Sequence, residues 1–286
     1  MSILVFGQTG QVARELALLS RPEAPILCLP RSEADLVAPE ACASAIRIHG
    51  PRAVINAAAY TAVDGAERQP ALAHLVNAEA PGTMARTCAD LGIPFVQIST
   101  DYVFDGTGDS PWQPGDAAAP CNVYGRSKLA GEQAVLAAGG AYAVLRTSWV
   151  VSAHGSNFVK TMLRLGKTRD AVSVVADQIG GPTPARAIAQ ACRTIAETLC
   201  RAPEKSGIYH FSGAPDTSWA GFARETFSRA GLACAVTEIP TTDYPTPAAR
   251  PLNSRLDCTA TEAAFGLARP DWRQGLTEIL QDLGEI

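Results

Sequence analysis

The chain has 286 residues, 24 Lys and Arg against 28 Asp and Glu, a net charge of −4, and 47% hydrophobic residues. That length suits one large or two modest domains, with the ordinary balance of a globular protein. No basic stripe marks a nucleic-acid binder, and no apolar run approaches the roughly 20 residues of a membrane span.

The N-terminal apolar run stops at Gly7, too short and uncharged for a signal peptide. The eight cysteines are scattered, without a Cys-x-x-Cys pair. They read as reduced thiols of a cytoplasmic protein, and zinc is not expected. Residues 3–6, Ile-Leu-Val-Phe, predict a strand, followed by Gly7-Gln8-Thr9-Gly10-Gln11-Val12-Ala13 and a helical pattern over 14–19. Strand, glycine turn and helix at a chain start predict a dinucleotide site. In that site Gly7 makes the tight turn and Gly10 admits the pyrophosphate. Ala13 sits where helix packs on strand, and the helix N-terminus attracts the anion.

A second strand over 25–29 ends in Pro30-Arg31-Ser32. A carboxylate is usual there when the cofactor is NAD; Arg31 suits a 2′-phosphate, which favours NADPH over NADH. Asp35-Leu36 reads as a turn before a helix over 39–48. A third strand over 51–56 ends in Ala57-Ala58-Ala59, small side chains that let a flat cofactor lie against backbone. After the loop from Tyr60 to Asp64 come further helices, the last over 77–91, then a strand over 94–98 running into Ser99-Thr100-Asp101-Tyr102. Strands alternating with helices imply a parallel, doubly wound sheet of Rossmann type, with ligands at the strands' C-terminal ends. The Gly- and Pro-rich loop 105–120 leads to Tyr124-Gly125-Arg126-Ser127-Lys128, the start of a helix. A four-residue spacing puts phenol and ammonium on one helical face, where the ammonium is expected to lower the phenol's pKa.

Beyond the strand over 141–146 the βα rhythm weakens. Two polar, Gly- and Pro-bearing segments follow, at 177–183 and 250–257, with helices over 184–200 and 219–230 and a strand over 207–211. The expected organisation is a dinucleotide-binding domain of 1–146 plus about 184–203, and a smaller α/β lobe of 147–183 and 204–286 that binds substrate.

The glycine loop, the Ser99–Asp101 strand end and the Tyr124/Lys128 helix together resemble the extended branch of the short-chain dehydrogenase/reductase family. Ala59 to Asp64, Arg146 to Val150, Asp177 to Thr183 and Arg250 to Ser254 extend the resemblance from end to end. The resemblance implies hydride transfer from NAD(P)H to the C4 ketone of a 6-deoxy nucleotide sugar. Thr100, Tyr124 and Lys128 would be catalytic, with Tyr124 as general acid. It implies cofactor contacts from Gly7, Thr9, Gly10, Gln11, Val12, Arg31, Asp35, Leu36, Ala58, Ala59, Tyr60, Thr61 and Ile98, together with Tyr124 and Lys128. The sugar nucleotide falls to Thr100, Asp101, Tyr102 and Trp149; Arg250, by its charge, is assigned to the diphosphate. Tyr60 stands where many family members carry His. Some members share a divalent cation between subunits, and many form homodimers. Glu15 has no convincing partners for such a site, so no metal is expected. The competing readings are another nucleotide-sugar oxidoreductase or epimerase of this branch, and a non-catalytic regulatory subunit like that of methionine adenosyltransferase.

Overall fold

Apolar runs such as Ile3–Phe6 and Ala53–Asn56 are buried at every position, as strands of a parallel sheet covered on both faces are. The computed structural model describes Met1–Ile286. The chain begins β1 (Ile3–Phe6), α1 (Gln11–Leu18), β2 (Ile26–Leu29), α2 (Pro39–His49), β3 (Ala53–Asn56), α3 (Val63–Arg68) and α4 (Pro70–His74). It continues through α5 (Ala80–Asp90), β4 (Phe95–Thr100), α6 (Val123–Ala137), β5 (Tyr142–Thr147), β6 (Val150–Val151), α7 (Phe158–Gly166) and β7 (Ala171–Val175). Then follow β8 (Ile179–Gly180), β9 (Thr183–Pro184), α8 (Ala185–Leu199), β10 (Gly207–His210), β11 (Thr217–Ser218) and α9 (Trp219–Arg229). The last elements are β12 (Ala235–Ile239), β13 (Asn253–Ser254), α10 (Thr259–Phe265) and α11 (Trp272–Asp282).

Six strands form a parallel sheet in the order β10-β5-β4-β3-β1-β2. Period-two alternation sorts its side chains into two layers. Ile3, Val5, Ile55, Val96 and Leu145 pack on α1 and α8; Leu4, Phe6, Val54, Phe95 and Val144 pack on the side of α2, α5 and α6. The fold is α/β, Rossmann-like and doubly wound. The strand order reverses between β1 and β3, the crevice where such sheets take their ligands.

Three expectations need correction. The first helix starts at Gln11 rather than at 14, because the Gly10 carbonyl already accepts from the Arg14 N–H at 3.0 Å. The helix expected over 77–91 opens as a wide π turn, Leu75–Glu79, and becomes α-helical only at Ala80, with Pro81 in its first turn offering no N–H. The strand near 207, expected in the smaller lobe, is an edge strand of the main sheet, parallel to β5.

The remaining strands build small sheets beside the main one: β7 with β12 in parallel, β11-β8-β13, and β6 with β9. Val159, Leu163, Phe222, Trp272 and Leu276 form the core between α7, α9 and α11. No helix is long and apolar enough to cross a membrane.

Candidate active site

At the β1/β3 crevice the chain turns at Gly7 with φ +109°, a conformation that side-chain-bearing residues rarely adopt. Its α-carbon lies against the Ala57 and Ala58 backbone. Gly10 then caps α1 with no side-chain hydrogen bond, so the first N–H groups of the helix face outward, a ready anion site. Thr9 is exposed beside them. The side chains of Gln11 and Val12 are engaged within the protein. The Gln11 carboxamide is tied to Ser152 (2.8 Å) and Asn157 (2.9 Å), and Val12 is buried in the core. Arg31 is exposed, with its Nε 2.9 Å from Asp35 Oδ2; Leu36 is buried below. Ala58, Ala59 and Tyr60 are half-buried, and Thr61 is exposed. The Tyr60 hydroxyl donates to Gln69 at 3.0 Å and so points away from the crevice. Asn77, buried, was not singled out from the sequence. It accepts from the Tyr60 N–H at 2.8 Å and donates to Ser127 at 2.9 Å, locking the Ala57–Thr61 loop to α6.

Helix α6 is seated against the end of β4. A Cβ at Gly125 would collide with the Tyr102 carbonyl, and one at Gly131 with the Asn77 carbonyl. Asn122 caps the helix through the Gly125 N–H (2.7 Å) and reaches across to the Ala249 carbonyl (2.8 Å). This seating puts Tyr124 beside Thr100, the last residue of β4, with the Tyr102 ring edge-on at 5.5 Å. One turn on, Lys128 is buried and its Nζ donates to the Ile98 carbonyl at 2.7 Å.

The expected action of Lys128 on the phenol is corrected by this geometry. Burial pushes the Tyr124 phenol well above its ordinary value, and the group that pulls it down is the Thr100 hydroxyl. The Lys128 ammonium is aimed at Ile98 instead, and burial lowers its pKa to about 8, against the upward pull of Glu132.

Asp101 is buried; burial lifts its carboxyl to about 6, while Ser254 and Thr100 act to lower it. Its Oδ1 accepts from Thr100 at 3.1 Å and its Oδ2 has no partner. The charged form is the disfavoured one in the fold. The stability this group contributes is therefore complete below its unfolded value of 3.8 and lost as pH rises through about 6. Asp101→Asn is expected to be more stable than the parent near pH ~8, by up to about 3 kcal/mol, with the gain vanishing toward pH ~4. Urea titrations across that range measure it; an equal gain at both ends would rule out the ionisation as its source.

Arg250, from the segment before β13, meets Asp64 at 2.8 Å through Nη2, and Asp64 also accepts from the Ala248 N–H. Nη1 of Arg250 is buried without a partner. Trp149 is the only non-glycine residue with positive φ, +48°, and stacks on Trp219 at 3.6 Å. The Trp219 indole is itself anchored to Gln178 at 3.1 Å. Asp64 and Trp219 were not found from sequence; an acid and an aromatic carry no local sign that their partners lie 186 and 70 positions away. Glu15 is held by Arg186 (3.3 Å) and His154 (3.4 Å), and Arg186 also binds Glu278 and Asp282.

Behind Tyr124 and Lys128 lies a buried ion pair: Arg146 Nη2 and Glu132 Oε2 are 2.7 Å apart, and Ser99 donates to Glu132 at 2.5 Å. Arg146 also covers the Phe104 ring at 5.0 Å, and burial, with the Arg146 charge second, holds His210 down to about 3. A lone Arg ending the apolar run Ala143-Val144-Leu145 was the available signal, since buried charges come paired.

The family model for the RmlD substrate binding domain matches residues 1–285. A dTDP-4-dehydrorhamnose reductase of Sinorhizobium fredii is 44% identical over 286 residues, covering 98% of this chain and 97% of the relative. The crystal structure of a Bacillus anthracis dTDP-4-dehydrorhamnose reductase in complex with NADP superimposes with a TM-score of 0.91 at 34% identity, covering 98% of this chain and 99% of that one. A Thermus thermophilus UDP-glucose 4-epimerase, at 19% identity and TM-score 0.80 over 99% of both chains, shares the fold.

Proposed function

The chain belongs to the RmlD substrate binding domain family, and from that premise we propose that it reduces the C4 ketone of dTDP-4-dehydro-β-L-rhamnose to dTDP-L-rhamnose with NADPH. One observation carries the chemistry: a phenol acid, Tyr124, held against the Thr100 hydroxyl at the C-terminal end of β4. The glycine turn, the uncapped start of α1 and the small side chains after β3 fit a dinucleotide diphosphate and a flat ring.

NADPH, when bound, supplies the hydride to the sugar C4. As that carbonyl becomes an alkoxide, Tyr124 Oη gives it a proton, and Thr100 Oγ1 turns its one hydrogen from Asp101 Oδ1 to the growing charge. The high pKa of the phenol keeps it protonated until the alkoxide, a much stronger base, draws the proton away. Lys128, pinned on the Ile98 carbonyl, places a cation beside the reacting centre below pH ~8. Asp101, with its free Oδ2, takes a sugar hydroxyl, and Arg250, with its free Nη1, takes the substrate diphosphate. The Trp149 ring, backed by Trp219, gives the sugar nucleotide an apolar wall.

The test is oxidation of NADPH followed optically with the keto-sugar nucleotide, run beside NADH. An absence of turnover with a 4-keto-6-deoxy sugar nucleotide would remove the reductase reading. Arg31→Ala is expected to raise KM for NADPH about 10-fold while leaving NADH unchanged, since a guanidinium–phosphate contact is worth roughly 1.5 kcal/mol or more. Equal changes for both cofactors would remove Arg31 as the 2′-phosphate partner.

A further inference from the structure

Thr147 ends β5 and is 4% exposed, yet its Oγ1 finds no hydrogen-bond partner. Buried hydroxyls are almost always paired, so an unpaired one at the mouth of a parallel sheet points to a ligand. Strand alternation says which ligand. Ala143 and Leu145 belong to the α1/α8 layer, so Thr147 continues that face; Val96 belongs to it too, so Ile98 and Thr100 do likewise. Thr100 and Thr147 are directly paired in the ladder. On β3 the same parity brings Ala57 to that face, against Gly7. Ala57, Ile98, Thr100 and Thr147 therefore make one continuous floor running away from the phosphate turn. Asp101, Tyr102 and Tyr124 leave that floor for the α6 side, and Arg250 is anchored by α3. Asp101, Tyr102 and Arg250, assigned to the sugar nucleotide, thus stand across from Thr147, while Thr100, its ladder partner on the floor, marks where nicotinamide and sugar C4 meet.

We infer that Thr147 is a cofactor-positioning residue whose hydroxyl hydrogen-bonds the carboxamide of the bound nicotinamide and sets the rotation of the ring. The assignment rests on the NADPH reading above. A hydroxyl donates and accepts, matching either end of a carboxamide. Ser148, held to the Gly181 carbonyl at 3.3 Å, and the Thr183 N–H on the Trp149 carbonyl at 3.0 Å fix the backbone that follows, so the hydroxyl is presented from a rigid strand end.

Thr147→Val keeps the shape and removes the hydroxyl; Thr147→Ser keeps the hydroxyl. Without any sugar present, NADPH is expected to bind Thr147→Val about 3- to 10-fold more weakly, and Thr147→Ser about as the parent does. 2′-Phospho-ADP-ribose, which lacks the nicotinamide, is expected to bind all three alike. The free Thr147→Val protein should melt no lower than the parent, since it loses only an unpaired buried hydroxyl. Equal weakening toward both ligands would mean a structural effect and overturn the inference. So would unchanged NADPH binding with a raised KM for the sugar nucleotide, which would assign the hydroxyl to the sugar. Failure of the parent protein to bind NADPH at all would instead remove the cofactor reading on which the inference stands.

Discussion

Tyr124→Phe is expected to fold, to bind NADPH as the parent does, and to lose about 10²- to 10⁴-fold in kcat, the usual worth of a positioned general acid. The substitution removes one oxygen from a half-buried ring whose packing partner, Tyr102, meets it edge-on, so the ring has no reason to move. KM for the sugar nucleotide should change little, because the proton matters only as the alkoxide forms. Substrate-saturated rates and fluorescence titration of NADPH separate the two effects. A kcat within a few-fold of the parent would show that another group supplies the proton. The pH profile of the parent adds a check. Burial lowers the Lys128 amine to about 8, so its cation is lost as pH rises through that value, and kcat should fall there on the alkaline side. The Tyr124 phenol, pushed the opposite way, stays protonated across the same window.

Much of this arrangement was legible in the sequence because it depends on short-range geometry. Tyr124 and Lys128 stand four apart, and a helix must bring them to one face. Gly7 follows an apolar run, and Thr100 ends another, so the rules for parallel sheets place both at one mouth. Long-range pairing was less legible. β10 is an edge strand with half-buried positions, and nothing in Gly207-Ile208-Tyr209-His210 says that its neighbour is β5. The Lys128 side chain shares a face with Tyr124 but is captured by the Ile98 carbonyl, a contact set by how closely α6 lies on β4. Spacing along a helix fixes which side chains are neighbours; it does not say which acceptor wins. Gln11 shows the same limit: the resemblance puts the residue at the cofactor, but nothing local says that its side chain is taken by Ser152 and Asn157.

The largest stability effect is expected at Arg146, where Arg146→Met should cost about 3–5 kcal/mol by leaving the Glu132 carboxylate buried without its ion partner. Glu132 is 2% exposed and receives Arg146 through both Nε and Nη2, at 3.0 and 2.7 Å, so water cannot replace the lost guanidinium. Arg146→Met combined with Glu132→Leu removes both charges together and should recover most of the loss, because an apolar pair replaces a buried ion pair with little net change. Urea unfolding of the parent, both single variants and the double variant measures the coupling. The double variant also reports on catalysis, because Glu132 raises the Lys128 pKa from one helical turn away. Without it, burial acts alone on the amine, and the alkaline limb of kcat should move below pH ~8. A double variant as unstable as Arg146→Met alone would show that the guanidinium matters for its contacts with Phe104 and the Pro114 carbonyl rather than for the charge of Glu132.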